Sequence, residues 1–153
     1  MIEDDPNDVL LIRRALIKCE IRHPVHVVEN GEKAMAYLTG AGGYSDRASF
    51  PLPGLILTDL KMPRMNGIEL LRWLKGHADY KVIPTIVLTS SMESSDIRQA
   101  YLLGANSYLV KPANFEDLRI LVRTVFDYWC LCKVALAEAL ASAAIAPPVP
   151  IHV

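Results

Sequence analysis

The sequence predicts an α/β fold in which a doubly wound, five-stranded parallel sheet is flanked by five helices. Short apolar segments alternate along the chain with helical patterns, which is typical of repeated βαβ units. The segments LILT and TIVL (55–58 and 85–88) are apolar on both faces, as expected of central parallel strands that are covered by helices. The predicted strands are Met1–Ile2, Val25–Val28, Leu55–Thr58, Thr85–Leu88 and Ser107–Val110.

Helix-capping residues punctuate the chain between these strands. Asp5 followed by Pro6 is typical of an N-cap and a first helical position, and the helix they open is predicted to run to about Cys19. Further helices are predicted to begin at Asn30-Gly31, at Asn66-Gly67, around Ser94-Ser95-Asp96 with an end at Gly104, and at Asn114 with an end beyond Trp129.

Two stretches fall outside this alternation. Residues 40–54 hold four Gly and two Pro, which predicts a long surface loop. Near the end the chain becomes Ala-rich and then Pro-rich. We therefore expect one domain over residues 1–128, and a helical extension with a disordered tail over residues 129–153.

Composition excludes several classes of protein. The chain has 153 residues and a formal net charge of −1, without a long Lys/Arg block, which argues against nucleic acid as a partner. No apolar run approaches the roughly 18 residues that span a bilayer, so we expect a cytoplasmic protein with no membrane partner. Cys19, Cys130 and Cys132 lack metal-site or disulfide spacing and are predicted to be buried thiols.

Polar residues follow four of the predicted strands. They are Glu3-Asp4 after the first strand, Asp59 after the third, Thr89-Ser90 after the fourth and Lys111-Pro112 after the fifth. Because parallel strands of a doubly wound sheet end at one edge, these side chains should meet there. Each has an ordinary structural explanation when taken alone, but their joint occurrence indicates a functional site.

The chemistry of this group favours a divalent cation. Carboxylates that lie together repel each other unless a cation joins them, and Mg²⁺ prefers oxygen ligands and often completes its shell with phosphate oxygens. With Mg²⁺ and Lys111 balancing the charge, Asp59 is predicted to act as a nucleophile towards a phosphoryl group.

Four separated motifs of the sequence, taken together, resemble those of a known family. EDDPND, TDLKMPRMNG, LTSS and YLVKP, in this order, resemble the receiver domain of two-component response regulators, and the resemblance covers about residues 1–128. It implies a flavodoxin-like sheet with strand order 2-1-3-4-5. It also implies a signalling domain, not an enzyme in the ordinary sense, which takes a phosphoryl group from a sensor histidine kinase and catalyses its own phosphotransfer and dephosphorylation.

The resemblance also implies a role for each site residue. Asp59 is the phospho-acceptor, Asp4 a direct ligand of Mg²⁺ and Glu3 a ligand acting mainly through water. The backbone carbonyl of Lys61 should complete the protein's metal ligands. Thr89 and Lys111 would contact phosphoryl oxygens, Tyr108 would be the aromatic switch that follows Thr89, and the Lys111-Pro112 bond would be cis.

Further features look like single-domain regulators that serve bacterial phytochromes and similar kinases. They are the PND after the acids, the Gly/Pro loop, the LGANSYLVKP run and the FDYW late in the last helix. Such proteins are often dimers through the fourth helix, fifth strand and fifth helix, signalling by a conformational change at that face. Candidates for this patch are Tyr101, Leu102, Tyr128 and Trp129, although the sequence fits equally well with these residues packing in the core.

Three alternatives remain open at this stage. A degenerate receiver would bind proteins without phosphorylation, although no residue of the required set is missing. A receiver cut from a hybrid kinase fits the short first strand, which also suggests that the true start lies upstream of Met1. A metal-dependent phosphatase needs an acid two residues after its nucleophile, where this chain has Lys61.

Overall fold

A computed structural model describes residues 1–132 as one α/β unit. The helices are α1 (Pro6–Lys18), α2 (Gly31–Thr39), α3 (Gly67–Gly76), α4 (Ser94–Leu102) and α5 (Phe115–Leu131), and the strands are β1 (Ile56–Thr58), β2 (Thr85–Thr89) and β3 (Ser107–Val110). The predicted receiver boundary at residue 128 falls inside α5. The predicted tail lies largely outside the described residues, so this division of the chain stays a prediction.

The parallel sheet has the predicted strand order. β2 pairs in parallel with β1 on one side and with β3 on the other. The first two predicted strands contribute isolated parallel bridges, in which Ile2 pairs with both Val28 and Thr58. These bridges place the N-terminal segment between the Val28 segment and β1. The order 2-1-3-4-5 is thus reproduced, but each of the first two strands is reduced to one paired residue.

Helices cover both faces of the sheet because each turns an apolar stripe inwards. On one face, α1 and α5 bury Ile12, Ala15, Leu16, Leu118 and Val122 against Leu88. On the other face, α2 and α3 bury a second cluster around Ile56, and α4 closes a third around Val87. All five residues of β2 are buried, as the apolar TIVL segment predicts for a central strand.

Capping follows the predicted residues closely. The side chains of Asp5, Asn30, Asn66 and Asn114 accept hydrogen bonds from backbone amides in the first turns of α1, α2, α3 and α5. Such caps satisfy amides that have no partner within the helix. Because α1 and α3 begin immediately after the edge that carries the acidic residues, their caps also fix the loops on which the site is built.

The long connection over residues 40–54 contains a single 3-10 turn (Gly42–Tyr44) and packs against the end of α2. Arg47 donates hydrogen bonds to the backbone carbonyls of Tyr37 and Leu38, at 2.7 and 2.6 Å. A guanidinium in this place satisfies carbonyls at the C-terminus of a helix and complements its dipole. The predicted surface loop is therefore tied to the domain.

Two details differ from the sequence-based expectations. The Lys111-Pro112 bond is trans, since no cis peptide bond occurs in residues 1–132. Cys19 is buried as predicted, but Cys130 is exposed and Cys132 partly buried, because they lie at the end of α5 beyond the sheet that it covers. Within residues 1–132, no helix has the length and apolar character required to cross a membrane.

Candidate functional site

Asp59 follows β1 directly, and its carboxylate is buried at the carboxyl edge of the sheet. One carboxylate oxygen, Oδ1, accepts hydrogen bonds from the backbone amides of Leu60 and Lys61. The amide of Asp59 donates to the carbonyl of Ile2 at 3.0 Å. The backbone therefore fixes both the position of this acid and the direction of its carboxylate.

The acid pair meets Asp59 as the sequence predicts. Glu3 is buried and Asp4 is exposed, and one carboxylate oxygen from each lies within 4.8 Å of the others and of an oxygen of Asp59. The hydrogen bonds that Ile2 and Glu3 make with neighbouring segments hold the pair at this edge. Three carboxylates from two segments thus surround one small volume.

Lys111, at the end of β3, supplies the positively charged side chain of the site. Its backbone amide donates to the carbonyl of Thr89 at 2.8 Å, which aligns it with the end of β2. Its ammonium Nζ lies 2.8 Å from Glu3 Oε2, 2.8 Å from Asp59 Oδ2 and 2.6 Å from Asp8 Oδ2. The ammonium therefore bridges three carboxylates at once.

Asp8 is the site residue that the sequence reasoning missed. From the sequence, it is explained as an acid in the first turn of α1, where the helix dipole favours negative charge. The available signal was topological. Because α1 starts directly after the first strand, its first turn lies at the same edge as the other acids.

The electrostatics of the site reflect burial opposed by the lysine. Burial alone raises the pKa of Asp59, but Lys111, the Thr89 hydroxyl and the Leu60 amide outweigh it and hold that pKa below its ordinary value. Burial, helped by the charge of Asp59, keeps the pKa of Glu3 raised despite Lys111. For Lys111, burial alone would lower the pKa, but the hydrogen bonds to Asp59, Asp8 and Glu3 raise it instead.

Thr89 and Tyr108 are connected through the loop that follows β2. Thr89 is fully buried, and its hydroxyl accepts a hydrogen bond from the amide of Ser91 at 3.4 Å. The Tyr108 hydroxyl donates to the Ser91 carbonyl at 3.1 Å, and the Ser91 hydroxyl donates to Asp96 in the first turn of α4 at 2.6 Å. Ser91 thus joins both predicted switch residues to α4.

Lys61 contributes its backbone to the site, while its side chain points away. The side chain is 63% exposed, and its ammonium lies 4.0 Å from Asp96. The role of the Lys61 carbonyl as a metal ligand stays a prediction. The other predicted site residues, Glu3, Asp4, Asp59, Thr89 and Lys111, come together at one edge.

The donor set fits a hard divalent cation. Oxygens of Glu3, Asp4 and Asp59 lie close enough to share one ion, and carboxylate oxygen is the ligand type that such cations select. The pKa of Glu3 is raised mainly by burial, with a smaller contribution from the Asp59 charge, so a further positive charge at this place would favour its ionised form. The cluster can therefore bind a divalent metal ion.

Comparison with known proteins agrees with this geometry. The family described as the response regulator receiver domain matches residues 1–123. Response regulator Rcp1 from Synechocystis sp. is 36% identical over 129 residues, which cover 84% of this chain and 86% of that protein.

Two solved structures extend the comparison. The phosphorylated cyanobacterial phytochrome response regulator RcpA has a TM-score of 0.80 at 35% identity, covering 87% of this chain and 94% of its own. The Mn²⁺-bound form of Rcp1 has a TM-score of 0.76 at 32% identity, covering 97% and 96%. The protein belongs to the response regulator receiver domain family, and its similarity to phytochrome response regulators confirms the predicted subfamily.

Proposed function

We propose that Asp59 is the phospho-acceptor of this receiver domain. The observation that supports it best is the Asp59 carboxylate, held by two backbone amides on one oxygen and by the Lys111 ammonium on the other. A carboxylate oxygen attacks the phosphorus of a phosphohistidine on a sensor histidine kinase. The O–P bond forms as the P–N bond breaks, and the imidazole leaves with the electron pair.

The residues around Asp59 supply positioning and charge. The ammonium of Lys111 and the hydroxyl of Thr89 contact phosphoryl oxygens. Conversion of the Asp59 carboxylate to an acyl phosphate makes the charge of this side chain more negative by about 0.5 to 1 unit. Glu3, Asp4, Asp59 and the Lys61 carbonyl would hold Mg²⁺, which when bound neutralises charge on the transferring group. The same groups support self-catalysed phosphotransfer and dephosphorylation.

The response is a shift between two conformations. When Thr89 moves towards the phosphoryl group, the loop that holds the Ser91 carbonyl moves with it, and the hydrogen bond from Tyr108 must be remade. Because Ser91 also contacts α4 through Asp96, the change reaches the face formed by α4, β3 and α5. We call this the α4–β3–α5 face.

The decisive experiment labels the protein with a phosphodonor. Wild-type protein, incubated with acetyl phosphate and Mg²⁺, should gain one phosphoryl group that is labile to hydroxylamine, as an acyl phosphate is. Asp59→Asn should abolish the label because the amide oxygen is a poor nucleophile. Asp79→Asn, which removes the same charge from an exposed position, should be labelled normally.

Full labelling of Asp59→Asn would refute this assignment. An unlabelled wild type would instead favour the degenerate receiver that binds proteins without phosphorylation. A phosphatase acting on free substrates is disfavoured by Lys61, which stands where the general acid is needed. Membership in a hybrid kinase remains compatible with the same chemistry.

We propose that the partner is a sensor histidine kinase of the phytochrome type. Of the two similar response regulators RcpA and Rcp1, RcpA is a phytochrome response regulator. The cytoplasmic location, and the absence of nucleic-acid and membrane partners, stay predictions. Transfer from a panel of phosphorylated kinases, measured at early times, identifies the partner by its rate.

We also propose a homodimer through the α4–β3–α5 face. Tyr101, Leu102 and Tyr128 are 50%, 63% and 60% exposed, whereas Trp129 is partly buried, which supports a surface patch more than core packing for the first three. Leu102→Glu should shift the protein towards monomer in light-scattering measurements. Leu10→Glu, at a similarly exposed position on α1, should leave the molar mass of the particle in solution unchanged. A dimer insensitive to Leu102→Glu would contradict this interface.

A further inference from the structure

Asp8 makes the shortest of the three contacts that Lys111 forms with carboxylates, at 2.6 Å. The Lys111 side chain is only 13% exposed, and that of Asp8 is 33% exposed. A charge-assisted hydrogen bond in such a partly dry place is stronger than a surface ion pair. The contact also joins α1 to the end of β3.

The three contacts use all the hydrogen-bonding capacity of the ammonium, which has three donors. Two of them, to Glu3 and Asp59, involve carboxylates that also form the metal cluster. Lys111 and a divalent cation therefore compete for the same two carboxylates. Asp8 lies outside that cluster, so its hold on the ammonium does not occupy a metal ligand.

We infer that Asp8 is a positioning residue that retains Lys111 when a divalent cation enters, and that it thereby sets the affinity of the site for Mg²⁺. The inference rests on the proposed function of the site. With Asp8 present, the ammonium keeps an anionic partner as Glu3 or Asp59 turns to the metal. Without it, Lys111 has only those two carboxylates left, and its competition with the cation is stronger.

Charge acts in the same direction as this competition. Removing the Asp8 carboxylate also removes a negative charge from the neighbourhood of the cation, so both effects weaken binding of Mg²⁺. If Asp8 served only the dipole of α1, its loss would change the stability of the helix and lower metal affinity no more than the loss of another nearby carboxylate does. Metal affinity compared with that of a charge-matched variant, and its dependence on Lys111, therefore separate the two roles.

The test is a calorimetric titration with Mg²⁺ at fixed ionic strength. Asp8→Asn should bind Mg²⁺ about tenfold more weakly than wild type, at the lower end of the effect of outer-shell partners on metal affinity. Asp8→Ser serves as a second substitution at the same position. Asp5→Asn is the matched control, since it removes the same charge next to Asp4 of the metal cluster, keeps an N-cap side chain on α1 and alters no contact with Lys111.

A double-mutant cycle then asks whether Asp8 acts through Lys111. In a Lys111→Ala background, Asp8→Asn should change Mg²⁺ affinity much less than in the wild type. Equal affinity of wild type and Asp8→Asn, an equal loss in Asp5→Asn, or an undiminished loss in the Lys111→Ala background would each overturn the inference while leaving Asp59 as acceptor. A wild type that bound no Mg²⁺ would overturn the metal site itself.

Discussion

At the scale of single residues, the geometry of the site depends on how closely the first turn of α3 packs against Asp59. The amide of Gly67 donates to the Leu60 carbonyl at 2.9 Å, which brings the first turn of α3 against the acceptor. A Cβ at Gly67 would lie 2.2 Å from the Asp59 carbonyl oxygen and 2.8 Å from the Leu60 Cα. The two nearest neighbours are backbone atoms, so rotation of a side chain cannot relieve the clash.

We therefore expect Gly67→Ala to displace the loop that carries Asp59. The overpacking should lower the free energy of unfolding by about 1–3 kcal/mol and slow phosphorylation by acetyl phosphate. Gly76→Ala, at the other end of the same helix, meets no atom within 4 Å and should be neutral or slightly stabilising. Urea unfolding of both variants checks this, and equal stability of Gly67→Ala and wild type would contradict the steric argument.

This site could be predicted from the sequence because its residues stand directly after the predicted strands. Glu3, Asp4, Asp59 and Lys111 follow apolar segments, and the topology of a parallel sheet brings such positions to one edge. Asp8 was missed because its place in the first turn of α1, where the helix dipole favours an acid, already explained it. The burial of Cys130 was wrongly predicted, since the general tendency of thiols to be buried does not show how far α5 extends beyond the sheet.

At the scale of elements, the connection from β1 to α3 is fixed by a capping box. The Asn66 side chain accepts from the Glu69 amide at 3.0 Å, and the Glu69 carboxylate accepts from the Asn66 amide at 2.9 Å. Two amides without helical partners are thus satisfied reciprocally. Gly67 follows immediately, so this cap holds the turn that touches Asp59.

Removing the cap should destabilise the domain by a modest amount. We expect Asn66→Ala to lower the free energy of unfolding by about 1 kcal/mol, since the Glu69 amide loses its acceptor. Asn66→Ser retains a side-chain oxygen at the N-cap and should stay close to wild type. Guanidinium unfolding measures both, and a serine variant as unstable as the alanine variant would show that some other property of Asn66 matters.

Helices and strands could be predicted from the sequence where the residues that determine them are neighbours in the chain. Caps are read from a few neighbouring residues, and β2 from an uninterrupted apolar run. The first two strands were harder because pairing is a property of two segments. Val25–Val28 is only partly buried and pairs with the sheet through one bridge. Its apolar sequence therefore predicts a longer strand than the structure contains.

At the scale of the whole molecule, negative charge is concentrated at one edge. The chain has a net charge of −1, yet four carboxylates, Glu3, Asp4, Asp8 and Asp59, lie at this edge, and the ammonium of Lys111 contacts three of them, all except Asp4. Their formal sum is four negative charges and one positive, or −3. The folded domain therefore holds repulsion that the unfolded chain, with these groups dispersed, does not.

A divalent cation should relieve this repulsion and stabilise the fold. A ligand that binds only the native state at about 100 times its dissociation constant adds about 2.7 kcal/mol. For a domain of roughly 150 residues, that corresponds to a rise in Tm of about 5–10 °C. Thermal unfolding with MgCl₂, compared with NaCl at the same ionic strength, measures the shift. Asp4→Asn should lose most of it while Asp79→Asn keeps it; an equal rise with NaCl would mean that screening, and not a bound ion, relieves the repulsion.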